Sequence, residues 1–202
     1  MATIEQYCKP CDYEAIDPDA QYCPLCGRIP TLMMNTVLQG NTNTYTLVDV
    51  LGVGGFGKVY LAVDQNGEKV VIKQAYSEDP ADFMEVLRRF DREAQALLAM
   101  THPAPFPICY ERFQFDGLEC MVMEYIEGQD LEQMILAQGP LQPDRVLQIA
   151  IAVCDALERM HASGFVHRDI KPANVIETPK AEIKLLDFGL ARLSTLSAAT
   201  QA

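Results

Sequence analysis

The sequence predicts an α+β fold: an antiparallel sheet with one long helix, followed by a mainly helical region and preceded by a small cysteine-rich segment. Three observations lead to this prediction. Alternating apolar segments with glycine-containing turns between them occupy much of the stretch from Tyr45 to Tyr125. Helical spacing of apolar residues recurs at 80–100 and 143–162. Four of the seven cysteines lie in the first thirty positions.

Length and composition bound the possible functions. A chain of 202 residues, 49% of them hydrophobic, is expected to form one or two domains with a real core. The net charge of −12 makes nucleic-acid binding a poor expectation, because such binding depends on neutralising phosphates. The N-terminus lacks the basic and apolar regions of a signal peptide, and no apolar run is long enough to span a membrane. We therefore expect a cytoplasmic protein with no membrane segment in this chain.

The cysteine-rich segment at 1–30 carries two C-x-x-C motifs separated by eleven residues. Two such turns supply the four sulfur ligands of a tetrahedral Zn²⁺ ion. The ending YCPLCG resembles that of small bacterial zinc ribbons and also that of rubredoxin, so bound iron and a pair of disulfides stay alternatives. We predict a structural zinc ribbon at 1–30, open to protein docking, and a linker at 31–44. The predicted zinc ligands are Cys8, Cys11, Cys23 and Cys26.

A glycine-rich turn lies between two predicted strands. The segment Tyr45–Leu51 alternates as a strand does, and Val59–Val63 forms the next strand directly after the glycines. In a dinucleotide-binding fold the same glycine spacing opens a helix, so that fold does not fit. Asn66-Gly67 then predicts a type I′ hairpin turn before a third strand at Lys69–Ala75. Glycines allow a backbone to approach phosphates closely, and the three in this pattern are Gly52, Gly54 and Gly57.

A lysine and a glutamate stand out on faces that are otherwise apolar. Lys73 shares its strand face with Val71 and so needs an anion nearby. Glu93 falls on the apolar stripe of the helix at 80–100, between Phe90 and Leu97. A buried carboxylate is costly unless it is paired. We therefore expect Lys73 and Glu93 to form an ion pair.

The middle of the chain predicts two more strands and two helices. Strands at 102–115 and 118–125 are expected around an Asp116-Gly117 turn. Helices are expected at Leu131–Gln138 and Pro143–Ala162, and Gly164 suits the cap of the second. The apolar face predicted for that second helix consists of Val146, Ile149, Ala150, Val153, Leu157 and Met160.

Two polar clusters lie at 167–174 and 187–189, with strand-type segments between them. A hairpin formed by those strands would bring the clusters together. Carboxylate and amide oxygens would then lie beside a lysine, which suits Mg²⁺ and phosphate, because Mg²⁺ prefers a few protein oxygens together with phosphate oxygens. The residues expected to meet are Asp169, Lys171, Asn174 and Asp187.

These clusters read HRDIKPAN and DFG, and they resemble the catalytic and metal-binding loops of eukaryotic-type protein kinases. The glycine pattern and the V-V-I-K segment resemble that family's glycine-rich loop and lysine strand. The resemblance implies a protein-kinase-like fold: a five-stranded antiparallel N-lobe sheet plus helix at 45–122, a hinge at 123–128 and a partial helical C-lobe at 129–202. It also implies that His167 supports the ring of Phe188.

The resemblance further implies an ATP site that uses Mg²⁺ or Mn²⁺. Asp169 would accept the proton of a Ser or Thr hydroxyl of a protein substrate, and Lys171 would steady the γ-phosphate. Asn174 and Asp187 would bind the metal ion, and Lys73 would hold the α- and β-phosphates. The other residues expected to surround the nucleotide or support the site are Gly52, Gly54, Gly57, Val59, Val71, Glu93, Glu124, Ile126 and Ile176.

Two functions remain open at this point. Lys171, two residues after Asp169, resembles the serine/threonine kinases, which favours a protein kinase acting on Ser or Thr. The sequence reaches Ala202 without the A-P-E motif of the family, so we expect a fragment with partly uncovered helix faces. The alternative is a nucleotide- and zinc-binding regulatory module without efficient transfer. Candidate phosphorylation sites in the last segment are Ser194, Thr195, Ser197 and Thr200.

Overall fold

The computed structural model of the chain describes residues 6–8, 13–16, 32, 34–54, 57–77, 79–100, 105–188 and 192–193. The chain divides into two compact units. The first comprises Met1–Phe90 and Cys109–Tyr125, and the second comprises Asp91–Ile108 and Ile126–Ala202. No helix within the described ranges combines the length and the apolar character needed to cross a bilayer.

The first unit is built on a six-stranded antiparallel sheet, and a separate two-stranded hairpin lies nearer the N-terminus. The hairpin consists of β1 (Gln6–Cys8) and β2 (Tyr13–Ile16). The strands of the sheet are β3 (Val37–Gln39), β4 (Thr44–Gly54), β5 (Gly57–Asp64), β6 (Lys69–Gln74), β7 (Cys109–Phe115) and β8 (Leu118–Glu124). Their order across the sheet is β3-β4-β5-β6-β8-β7, so β3 and β7 form its two edges.

Strand β3 corrects two predictions. The sheet was expected to have five strands, and residues 31–44 were expected to form a linker. Residues 37–39 instead pair with β4, with Leu38 opposite Tyr45. Leu38 is fully buried, whereas Val37 and Gln39 are exposed. A strand of three residues with one buried side chain is too short to produce a recognisable alternation, so the sequence pattern does not reveal it.

The sheet curls until its two edges are connected. The loop between β3 and β4 lies at one edge, and Glu111 of β7 lies at the other. The backbone N–H of Asn41 donates to Glu111 Oε2 at 2.7 Å, and the Tyr45 hydroxyl donates to Glu111 Oε1 at 2.5 Å. The Tyr45 ring also stacks on Phe113, with 6.1 Å between ring centroids. One carboxylate therefore fastens the curled sheet.

Two turns of the sheet test the turn predictions. At Asp116-Gly117 both residues have positive φ, 48° and 75°, as a type I′ turn requires. The expected type I′ turn at Asn66-Gly67 is wrong, because only Gly67 has a positive φ (82°) there. The Asp64 carboxylate accepts hydrogen bonds from the backbone N–H groups of Asn66 and Glu68, at 2.8 and 2.9 Å. This side-chain cap stabilises a longer turn of three residues.

Helix α1 (Phe83–Ala99) follows a short 3-10 turn at Pro80–Asp82. The predicted cap is confirmed, since Asp79 Oδ1 accepts a hydrogen bond from the Ala81 N–H at 2.9 Å. The predicted stripe of Val86, Phe90, Leu97 and Met100 is buried. Glu93 lies on this stripe and is only 3% exposed, as the sequence predicts.

The second unit contains two further helices and five short strands. The helices α2 (Leu131–Gln138) and α3 (Pro143–Ala162) have the predicted bounds. Gly164 follows α3 with φ 84°, as a helix C-terminus favours. The strands are β9 (Gln129–Asp130), β10 (Phe165–Val166), β11 (Val175–Glu177), β12 (Ile183–Leu185) and β13 (Arg192–Leu193).

The helices of this unit expose much of their apolar surface, as expected for partly uncovered faces. Leu136 of α2 is 81% exposed. The predicted buried face of α3 is correct at Ile149 and Met160 but wrong at Val146 and Ala150, which are exposed. The described part of the unit packs only a narrow stripe of α3, which is why the broader face predicted from the spacing is not buried.

Candidate active site

The site centres on the loop from β10 to the 3-10 turn at Pro172–Asn174. His167 is buried at the start of this loop, and Arg168 follows it with φ 68°. A positive φ at a residue with a side chain is strained, and such strain collects at functional sites. The turn places Asp169 and Asn174 side by side.

Asp169 is held by two neighbouring side chains. Lys171 Nζ lies 2.8 Å from Asp169 Oδ2, and Asn174 Nδ2 donates to the same oxygen at 3.0 Å and to the Asp169 carbonyl oxygen at 2.8 Å. The Lys171 ammonium holds the pKa of Asp169 below its usual value. In return, the Asp169 carboxylate raises the pKa of Lys171. Both groups are therefore charged at neutral pH.

Asn174 joins this loop to Asp187. The Leu186 N–H donates to the Asn174 carbonyl oxygen at 2.7 Å, directly beyond the antiparallel pair Val175 and Leu185 of β11 and β12. Asp187 is thus one residue from the main chain bonded to Asn174, and its φ is 60°. The sequence prediction that a hairpin joins the two clusters is confirmed.

The donor set fits Mg²⁺. Both amide hydrogens of Asn174 are directed at Asp169, so Oδ1 is the atom of this side chain that could bind a metal ion. Asp187 supplies a carboxylate on the adjacent chain. Mg²⁺ commonly uses one or two protein oxygens of this kind and takes its remaining ligands from phosphates and water.

His167 connects the two halves of the loop from below. Its Nδ1 accepts from the Asp169 N–H at 3.2 Å, and its Nε2 lies 2.9 Å from the Leu186 carbonyl oxygen. Because a backbone N–H can only donate and a carbonyl can only accept, the ring is neutral with its proton on Nε2. The ring also lies against Phe188, with 5.4 Å between centroids, which confirms the expected support.

Phe106 was missed by the sequence analysis. Its ring meets the fully buried Phe188 edge to face at 5.3 Å, and the neighbouring Pro105 carbonyl accepts from the Leu185 N–H at 2.7 Å. Residues 105–108 were expected to belong to a strand, but the strand begins at Cys109. No motif marks an isolated phenylalanine in a loop, so nothing in the sequence indicated this contact.

The second unit also places two of the predicted nucleotide residues. Ile176 lies in the middle of β11, between Asp130 of β9 and Lys184 of β12, and it is half-buried. Ile126 is half-buried as well. Gly128 passes so close to β11 that a Cβ on it would lie 2.3 Å from the Glu177 carbonyl oxygen and 2.7 Å from Ile176 Cγ2. Only glycine fits there.

In the first unit, Lys73 lies against the end of the glycine-rich turn. A Cβ on Gly57 would lie 3.4 Å from Lys73 Cε and 2.7 Å from the Gln74 carbonyl oxygen. Lys73 is 8% exposed, a high burial for a lysine. A Cβ on Gly52, by contrast, would meet nothing within 4 Å, so packing within the chain does not require glycine at that position.

The remaining nucleotide predictions fall on the same sheet. Val59 pairs with Lys73 across β5 and β6, and Val71 pairs with Met123 of β8. Val59, Val71 and Glu124 are half-buried, and Gly54 ends β4 opposite Gly57. Lys73 and Glu93 belong to different units, and their ion pair stays a prediction.

Comparison with known proteins identifies the family. The family profile described as protein kinase domain matches residues 45–201 of the chain. The chain belongs to the protein kinase family. The Asp169 loop, the Asp187 segment and the lysine strand of this kinase domain all lie within the matched range.

Three curated bacterial relatives are similar to most of the chain. The serine/threonine-protein kinase PrkC of Bacillus subtilis is 39% identical over 147 residues, which are 73% of this chain and 22% of that protein. The serine/threonine-protein kinase PknB of Mycobacterium tuberculosis is 34% identical over 155 residues, 75% of this chain and 25% of that protein. A probable serine/threonine-protein kinase of Streptomyces coelicolor is 39% identical, covering 73% and 22%. The chain therefore spans about a quarter of the length of these relatives.

Several predicted features lie outside the described residues. They include Cys11, Cys23 and Cys26, the side chain of Cys8, Gly189, and the candidate phosphorylation sites from Ser194 onward. Within the described ranges, no three His, Cys, Asp or Glu side chains are grouped to hold a metal ion. The zinc ribbon and the lobe boundaries of the kinase domain stay predictions.

A His167→Phe variant of the kinase domain should keep the ring packing but lose both hydrogen bonds, and we expect unfolding to become easier by about 2–4 kcal/mol. Burial lowers the pKa of His167 from its ordinary value of 6.5. Below that value the unfolded chain binds this proton more readily than the folded chain, so wild-type stability falls as the pH drops. The variant should lack this part of the pH dependence.

Urea unfolding at about pH 7.5 and about pH 5.5 measures both effects. A matched control is His161→Phe, because His161 is exposed on α3. The His161 variant should behave as wild type at both pH values. An acid-induced loss of stability that is as large in His167→Phe as in wild type would contradict the assignment.

Proposed function

We propose that this kinase domain binds ATP and transfers its γ-phosphate to Ser or Thr hydroxyls of a protein substrate. One observation carries the proposal: the Asp169 carboxylate is held between Lys171 and Asn174 and is joined through Asn174 to Asp187. The names of the relatives support serine/threonine specificity, because all three are called serine/threonine-protein kinases.

The chemistry follows from the charges at this loop. The substrate hydroxyl oxygen forms a bond to the γ-phosphorus while the bond from that phosphorus to the β-bridging oxygen breaks, which releases ADP. The hydroxyl proton passes to Asp169, which is ionised because its pKa is lowered by Lys171. Lys171 is half-exposed and close enough to balance the negative charge of the phosphate being transferred.

Metal and nucleotide are assigned as follows. Asn174 Oδ1 and Asp187 would hold Mg²⁺, or Mn²⁺ in its place, and the bound ion would supply charge neutralisation at the β- and γ-phosphates. Lys73, paired with Glu93, would bind the α- and β-phosphates. The residues proposed to surround the nucleotide are Gly52, Gly54, Gly57, Val59, Val71, Glu124, Ile126 and Ile176.

The assay for this proposal measures phosphate transfer to Ser and Thr of a generic protein substrate with labelled ATP, alongside equilibrium ATP binding. We expect Mg²⁺-dependent transfer that EDTA abolishes, and Asp169→Asn protein supplies the background. Nucleotide binding without transfer above that background would refute the enzyme proposal and favour the regulatory module. Absence of nucleotide binding would refute both.

We propose in addition that Cys8, Cys11, Cys23 and Cys26 hold one structural Zn²⁺ ion and that this ribbon, in the cytoplasm, docks a partner protein. The support is the spacing of the cysteines and the β1–β2 hairpin, in which Cys8 is the last residue of its strand and Cys11 lies between the strands. Elemental analysis of the purified chain should find about one zinc per chain. Iron in that amount, or no metal, would contradict the assignment. A chain with Cys23 and Cys26 both changed to Ser should contain no zinc.

A further inference from the structure

The segment that leads from the cysteine motifs into the kinase domain is built into the ATP-binding sheet. Leu32, Thr36 and Leu38 are all buried. Beyond β3 the segment continues to pair with β4, because the Asn35 N–H donates to the Leu47 carbonyl oxygen and the Leu47 N–H donates to the Thr36 carbonyl oxygen, each at 3.0 Å. The segment is therefore ordered by the sheet and cannot act as a slack linker.

Leu32 ends a buried chain of hydrogen bonds. Its backbone N–H donates to the hydroxyl oxygen of Tyr60. The same hydroxyl donates to Gln74 Oε1 at 3.0 Å. Tyr60 is 1% exposed and Gln74 is fully buried, and burial raises the pKa of the Tyr60 hydroxyl. This hydroxyl is therefore a neutral bridge between Leu32 and β6.

Gln74 lies where the nucleotide-binding groups of this unit converge. It follows Lys73 on β6 and pairs with Lys58 of β5. Its carbonyl oxygen is so close to Gly57 that a Cβ on that glycine would lie 2.7 Å away. A small displacement of Gln74 would thus move both the lysine and the end of the glycine-rich turn.

We propose that Tyr60 and Gln74 are positioning residues for ATP, through which the segment at 32–39 sets the placement of Lys73 and of the glycine-rich turn. The inference rests on the proposed ATP binding by this sheet. Tyr60 and Gln74 do not touch the nucleotide in this proposal. They act by holding β6 in register with β5, and Leu32 keeps the Tyr60 hydroxyl directed at Gln74.

The consequence is a route from the N-terminal segment to the active site. Leu32 lies six positions after Cys26 in the sequence. Binding or unfolding events in the cysteine-rich segment that displace Leu32 would leave the Tyr60 hydroxyl with one partner fewer. ATP affinity would change without any change in the residues that contact ATP.

The test is Tyr60→Phe in the full chain, with Tyr45→Phe as the matched control. Both changes remove one hydroxyl from a buried tyrosine of the same sheet, but the Tyr45 hydroxyl binds Glu111 at the fastened edge. Loss of the Tyr60 hydroxyl leaves two buried polar groups unpaired, so we expect the Kd for Mg-ATP to rise about three- to tenfold. With Tyr45→Phe we expect a lower Tm and an ATP Kd within about twofold of wild type.

A second variant and a second measurement keep the outcomes separate. Gln74→Met should raise the ATP Kd as Tyr60→Phe does, and the double variant should be no worse than the more affected single one, since the two residues act as one unit. Amide exchange at 57–61 and 69–74 should accelerate in Tyr60→Phe without nucleotide present and stay slow in Tyr45→Phe. If wild type binds ATP while Tyr60→Phe binds it equally well, the positioning role is refuted. If wild type does not bind ATP at all, the proposed function fails, and amide exchange alone then decides whether Tyr60 holds β6.

Discussion

Replacing Asp169 by Asn is expected to lower the rate of phosphate transfer by about 10²–10⁴-fold while leaving ATP binding nearly unchanged. The amide can still accept the hydrogen bond that Asn174 Nδ2 now donates to Asp169 Oδ2, so the loop should keep its geometry. What disappears is the negative charge that attracts the proton of the substrate hydroxyl. The loss should therefore fall on kcat, with little change in the KM for ATP.

The control for this variant is Asp155→Asn, because Asp155 is an exposed residue of α3. Its transfer rate should match wild type. Steady-state kinetics with saturating protein substrate and varied ATP separates kcat from KM. Asp169→Asn protein that transfers phosphate within about tenfold of the wild-type rate would remove Asp169 from the proton-accepting role.

How far the sequence predicts the fold depends on whether a feature is marked by local chemistry. The bounds of α2 and α3 are predicted correctly because Asp130 caps the first helix, Pro143 starts the second and Gly164 follows its end. Strand β3 carries no such marks, since Leu38 is its one buried side chain. Its place in the sheet is set by pairing with β4, which is an interaction between segments that pattern reading does not detect.

The candidate site divides in the same way. Asp169, Asn174 and Asp187 are predicted to meet because a short hairpin, β11 and β12, separates the two polar clusters, and hairpins bring their ends together. Phe106 and Phe188 are far apart in sequence, and no periodicity links them. Tyr60 and Gln74 were missed for a different reason: each alternates with its neighbours as an ordinary strand residue, and only burial reveals that their polar atoms need each other.

Replacing Gly128 by Ala is expected to destabilise the second unit by about 2–4 kcal/mol. The glycine has φ 156°, and its new methyl group would lie 2.3 Å from the Glu177 carbonyl oxygen and 2.7 Å from Ile176 Cγ2. A backbone oxygen cannot turn aside as a flexible side chain can, so β9 would have to separate from β11. That separation would disturb two further features, the position of Ile176 and the cap that Asp130 Oδ1 provides to the Gln133 N–H at 2.8 Å.

Gly164→Ala distinguishes crowding from backbone strain. Gly164 also has a positive φ (84°), but a Cβ there would meet nothing within 4 Å. Its replacement should therefore show the conformational cost alone, about 1–2 kcal/mol. Urea unfolding of both variants at one pH gives the difference, which measures the close approach of the chain after β8 to β11. If Gly128→Ala is no less stable than Gly164→Ala, then β9 and β11 are not held together as tightly as their pairing indicates, and Ile176 is free to move without affecting the stability of this unit.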